Sequence, residues 1–247
     1  MNRNPTVDEL KKMDFAELIE EAESGDYKAM FLAATKMAIE GYVGKNAEPE
    51  LNERYMRYMR TVADAGDVIS MIQVGCSYAY GEDVEQDIEL AFKYFTMAAE
   101  NGESYGYECI GEMYFEGTGV AQDFEKAYEY LTKYKPKSLR TVYILGEMYR
   151  IGLHVKQDLK KANKYYEEIM YKLKDDEDDY FWRAAFRLGV LKHYGEGTKK
   201  DPERALELIE IARKYGRTEE SPIKGESITK EAIDKEWALL SDELGKI

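Results

Sequence analysis

Tyr55, Tyr58, Met59, Val62 and Ala63 fall on one face of a 3.6-residue period, and Ile233, Trp237, Leu240 and Leu244 do the same near the C-terminus. Leu10, Phe15, Leu18, Ile19 and Ala22 form a third such stripe, opened by Thr6-Val-Asp-Glu9 with the spacing of a capping box. Between these stripes one pattern recurs. Gly75-x-x-Tyr78, Gly81, Val84, Asp87, Ala91 and Tyr94 return as Gly111-x-x-Tyr114, Gly117, Val120, Asp123, Ala127 and Tyr130, about 36 residues later. Gly146, Tyr149, Gly152, Val155, Asp158, Ala162 and Tyr165 follow after about 35 more. Gly189, Gly195, Gly197, Asp201 and Ala205 follow after about 43. Self-similarity at this period predicts stacked helix–turn–helix units, each covering its neighbour's apolar face.

Each repeated position has a physical reason. A glycine inside a helix costs roughly 0.5–1 kcal/mol against alanine. Gly75, Gly111, Gly146 and Gly189 are therefore expected where the second helix approaches closely, at Ala91, Ala127, Ala162 and Ala205, with Tyr78, Tyr114 and Tyr149 beside the contact. The loop position of Asp83, Gly119, His154 and Gly197 carries residues enriched at positive φ, which predicts one left-handed turn used four times. Asp87, Asp123, Asp158 and Asp201 are expected to N-cap the second helices, with Pro202 at a first helical position. The unit that begins at Gly25 is degenerate: Ala34 stands for the glycine, and the interhelix loop from Gly41 to Asn52 is enlarged. A polar loop follows Gly216, and a last helix is expected from near Ser227 to Leu244, with Trp237 and Leu240 buried as its anchor.

Composition narrows the classes of function. A net charge of −14 on 247 residues opposes binding to nucleic acid or to anionic membranes. The start, Met-Asn-Arg-Asn-Pro-Thr, has no apolar run of a signal peptide, and no stretch is long enough to span a bilayer. Two cysteines, Cys76 and Cys109, do not make a disulfide framework. The expectation is a cytoplasmic monomer.

Gly111-Glu-Met-Tyr114-Phe-Glu-Gly117-Thr-Gly119-Val120-Ala-Gln-Asp123-Phe-Glu-Lys126-Ala127 resembles the Sel1-like repeat, a relative of the tetratricopeptide repeat. The resemblance covers about residues 13 to 216; Lys192 and Thr198 depart from it. It implies an all-α fold, a right-handed α/α superhelix (solenoid) of about five helix–turn–helix repeats. The expected divisions are an N-terminal half-repeat over 1–24, the solenoid over 25–216, and a linker with a capping helix over 217–247. It further implies a protein-interaction scaffold or adaptor, without catalysis, metal or cofactor. Some cysteine-rich secreted members of the family are linked to β-lactam binding, but they rely on repeated disulfides that this chain lacks.

In such repeats the first helix of each pair forms the concave wall. Measured from the unit glycine, the wall positions are Glu108, Glu112, Phe115 and Glu116, then Tyr143, Glu147 and Arg150, then His193 and Tyr194. Tyr105, Arg140 and Arg183 are expected at the rim. Glutamates thus precede a block of arginines and tyrosines, residues common as interface anchors. The expected ligand is an extended or helical peptide of a protein partner, its acidic end on the arginines. The competing reading pairs each arginine with a neighbouring glutamate, for example Arg150 with Glu147. The same residues also leave room for a small-ligand or β-lactam-directed protein, and for an acidic inhibitor acting through Asp175–Asp179.

Overall fold

The computed structural model describes residues 5–44, 46–81, 84–136, 138–172, 179–216, 221–223 and 226–246. The chain divides into two compact units, Met1–Ile110 and Gly111–Ile247. Thirteen helices and no strand lie among the described residues. They are α1 Val7–Leu10, α2 Phe15–Glu23, α3 Tyr27–Ile39, α4 Pro49–Asp64, α5 Val68–Tyr80, α6 Ile88–Glu100 and α7 Ser104–Glu116, then α8 Phe124–Leu131, α9 Leu139–Ile151, α10 Leu159–Lys172, α11 Asp179–Tyr194, α12 Pro202–Tyr215 and α13 Lys230–Glu243. The five expected pairs are α3/α4, α5/α6, α7/α8, α9/α10 and α11/α12. The half-unit is α2, and the cap is α13. Among the described residues no helix is long and apolar enough to cross a membrane.

The N-terminal stretch differs from expectation in being broken. Thr6 and Glu9 form the foreseen capping box, but Asp14 opens a second one with Glu17, so α1 and α2 are separate helices. The Asp14 carboxylate takes the Glu17 amide at 2.9 Å, and the Glu17 carboxylate takes the Asp14 amide at 3.0 Å. A side chain that competes this well for backbone donors ends one helix and starts another. The enlarged loop closes earlier than Asn52. Pro49 starts α4, and the Asn52 amide brackets the Gly44 backbone with two hydrogen bonds of 2.9 Å.

The repeated turn is built as the sequence suggests. Gly119, His154 and Gly197 have φ of 71°, 58° and 69°; Asp83 lies outside the described residues. All four aspartates cap, accepting the amide three residues on at 3.0–3.1 Å. The second helix is also tied back to the first. The amides of Asp87, Asp123, Asp158 and Asp201 donate to the carbonyls of Tyr78, Tyr114, Tyr149 and Lys192 at 2.8–2.9 Å. Gln86, Gln122 and Gln157 add a side-chain donor to the penultimate carbonyls of α5, α7 and α9, those of Ala79, Phe115 and Arg150. Replacing Asp158 by alanine should therefore cost about 1 kcal/mol, read as a lower urea midpoint at unchanged slope.

The unit glycines do face their second helices, but the side chain that fills the gap lies one turn beyond the repeat alanine. A Cβ on Gly75, Gly111, Gly146 or Gly189 would sit 2.6–2.8 Å from Phe95, Leu131, Tyr166 or Ile209. The alanines are themselves fully buried. Beside them run the ring pairs Tyr78–Tyr94, Tyr114–Tyr130 and Tyr149–Tyr165, stacked at 5.7–6.3 Å between centroids.

At the C-terminal end the anchoring tryptophan is not the expected one. Trp182, at the start of α11, is fully buried with Ile209, Ala212, Ile228, Ile233 and Leu240. Trp237 is only half-buried, with the Arg213 guanidinium 4.1 Å from its ring centroid. Thr229 N-caps α13 through the Ala232 amide at 3.0 Å.

Candidate functional site

Within the unit Gly111–Ile247 the first helices α7, α9 and α11 bring their charged positions together. Arg140 of α9 places Nε 3.3 Å from Glu112 of α7 and hydrogen-bonds Glu116, while Thr141 donates to Glu112 at 3.0 Å. Burial works against the Arg140 cation, but the facing Glu112 and Glu116 outweigh it and hold its pKa above the ordinary value. Tyr180 of α11 belongs to the same group, and burial raises its hydroxyl pKa to about 12. Arg183 lies over the Tyr180 ring at 4.8 Å and 3.8 Å from Asp179.

The second centre is Glu147, whose side chain is 5% exposed. Arg150 binds it in a fork, Nε to Oε1 at 2.9 Å and Nη2 to Oε2 at 2.8 Å. Arg187 of α11 stands 3.2 Å from Oε2, and the Tyr166 hydroxyl donates to Oε1. Burial raises the Glu147 pKa; the charges of Arg187 and Arg150 and the hydrogen bonds outweigh it and hold the carboxyl below its ordinary range. The Tyr166 hydroxyl is pushed well above its own, first by burial and then by the neighbouring carboxylate. Two guanidiniums thus share one helix-borne carboxylate.

The stretch after Gly216 supplies the second. Glu226 forms an ion pair with Arg150, and its carbonyl accepts from Arg187 Nη2 at 2.6 Å. Ile223 packs on the cluster of Phe115, Leu131, Ile144 and Met148, and Ile228 is buried beside Trp182 and Phe186. The described parts of the expected polar loop, 221–223 and 226–228, therefore lie against the wall, and the hollow left between them and the helices is about 40 Å³. Beyond it, between α11 and α13, Phe186, Arg187, Val190, Tyr194 and Lys235 line an open cavity of about 520 Å³.

The sequence-predicted residues divide accordingly. Glu112, Glu116, Arg140, Glu147 and Arg150 meet in one row, with their charges already paired. Phe115 and Tyr143 are buried core residues. His193 is buried, with Nδ1 2.5 Å from Glu236 and Nε2 2.9 Å from Glu243, so both ring nitrogens serve to hold the cap. Tyr194 is exposed. Tyr105 and Glu108 belong to the other compact unit, the first half-buried and the second buried. Of the acidic run, Asp175–Asp178 lie outside the described residues. Sequence reasoning misses Arg187 and Glu226. The one signal for Arg187 is its register: two residues before the unit glycine, the other units carry Gln73, Cys109 and Ile144.

The Sel1 repeat profile matches residues 68–103, 110–133, 142–168 and 182–214. Among solved structures, a Sel1 repeat protein from Oxalobacter formigenes is similar at 21% identity and a TM-score of 0.63, covering 82% of this chain and 79% of its own. A protective antigen of uropathogenic Escherichia coli strains, described as having an SLR fold, is similar at 22% identity and a TM-score of 0.58. That alignment covers 83% of this chain, which spans half the length of the antigen. Among curated proteins none matches.

Proposed function

Because the chain is built from Sel1 repeats, we propose that it is a non-catalytic adaptor that holds an acidic segment of a protein partner against α7, α9 and α11. Repeats of this kind commonly mediate protein–protein interaction, and fold alone leaves the partner open. The reading takes the chain as a cytoplasmic monomer, with the arginine row as its recognition surface. One observation carries it: Arg150 and Arg187 already hold a carboxylate that comes from outside the helices, that of Glu226. A guanidinium fork fixed by Glu147 is preorganised for such a group, so little side-chain entropy is lost when one binds.

The test is selection from a displayed library of extended peptides. Enriched peptides should carry Asp or Glu at one fixed position. Arg150→Met should weaken them at least tenfold, about 1.4 kcal/mol. Glu147 keeps Arg187 in this variant, so its circular dichroism should match the wild type. Reversing the charge of Arg150 is a poorer choice, since it would set two carboxylates against each other at a buried site. Enrichment without acidic residues, or unchanged binding by Arg150→Met, would move the site elsewhere.

A further inference from the structure

The stretch lying on the wall has the chemistry that the wall should select. Ile223 enters the apolar cluster of α7–α9, Glu226 meets the guanidiniums, and Ile228 enters the cap core. Gln122 donates to the Pro222 carbonyl at 3.4 Å, so the chain's own backbone is also engaged at the α7 end. The Ser221 amide donates to Ser227 Oγ at 3.1 Å, and the Glu226 amide to the Ile223 carbonyl at 3.1 Å. One feature marks it as exchangeable where the helices are not. Its ion pair is partly open to solvent, with the Glu226 side chain 27% exposed. Arg187 Nε is buried with no acceptor among the described residues.

We propose that the chain's own Ile223 and Glu226 are the resting occupants of the partner groove, and that the partner is a peptide presenting an aliphatic side chain three residues before a glutamate. This rests on the groove reading above. The partner displaces the chain's own Ile223 and Glu226, while Ile228 stays in the cap core. Apparent affinity is then lowered by the fraction of time the groove is self-occupied, and freeing the groove raises it.

The probe is the labelled synthetic peptide Ser-Pro-Ile-Lys-Gly-Glu-Ser-Ile, the sequence of residues 221–228, followed by fluorescence anisotropy with the full chain. The double variant I223S/E226Q should bind it at least tenfold more tightly than the wild type. E226Q alone, which keeps side-chain volume, should fall between them. The probe with Gln in place of Glu should lose the gain. Circular dichroism of each variant checks that the helices persist, and E226Q carries the comparison if the double variant unfolds. Equal, glutamate-dependent binding by wild type and variants would overturn self-occupancy and leave the groove reading standing. No binding by any of them would overturn both.

Discussion

Trp182→Ala should lower the unfolding free energy by roughly 3–5 kcal/mol, the largest effect expected of any single truncation of the cap core. The indole is fully buried where α11, α12, the Ile228 segment and α13 meet. Its removal leaves a cavity lined by Ile209, Ile228, Ile233 and Leu240, none of which can swing in without leaving another contact. Trp237→Ala should cost clearly less. That ring is half-buried, and its close neighbour, the Arg213 guanidinium, already has Asp234 at 2.8 Å. Urea denaturation of the two variants side by side decides the matter. Equal losses, or a larger one for Trp237→Ala, would mean that the cap is held from its outer face.

The two tryptophans show what can be read in the chain and what cannot. The pairs, the turns and the aspartate caps are legible because each rests on contacts within one repeat, and the repeat displays them several times over. Trp237 lies on an apolar stripe of α13, so periodicity points to it; but periodicity gives a face, not a depth. Trp182, in the first turn of α11, has no marker, since its burial comes from two later helices and the segment between them, tens of residues away. The arginine row divides the same way. Arg140 and Arg150 can be placed on the first-helix wall by register, and the pairing of Arg150 with Glu147 is an i,i+3 relation visible in the sequence. The role of Glu226 is hidden because a polar stretch with proline and glycine reads as a linker. Only the fold shows that a guanidinium from each of two different repeats converges on it. Register also puts His193 on the wall, and only the fold shows that the cap helix covers it there with Glu236 and Glu243.

Glu147→Ala should destabilise the chain by about 3 kcal/mol, the low end of what removing one member of a buried ion pair costs. Removing the carboxylate leaves Arg150 and Arg187 to Glu226 alone and leaves the buried Tyr166 hydroxyl without its acceptor. Glu226 is what keeps the figure from the upper end, because its carboxylate already touches one guanidinium and lies 3.8 Å from the other. Glu147→Gln should recover part of the loss, since an amide oxygen can still accept from Tyr166 but carries no charge for the arginines. The pH dependence separates charge from shape. The folded-state pKa of Glu147 lies below the ordinary value of 4.5, so the unfolded chain takes up this proton first as pH falls. The stabilisation from its charge is therefore fully present above about pH 4.5 and disappears as pH drops through the lower folded-state value. Carboxylates remote from this cluster titrate alike in the wild type and in Glu147→Gln, and they cancel in the difference between the two. That difference, measured by urea unfolding at about pH 7 and again at about pH 3, should shrink at the acid end. If it stays constant across that range, the arginines gain nothing from the charge of Glu147. The preorganised fork on which the proposed carboxylate recognition depends would then have no electrostatic basis.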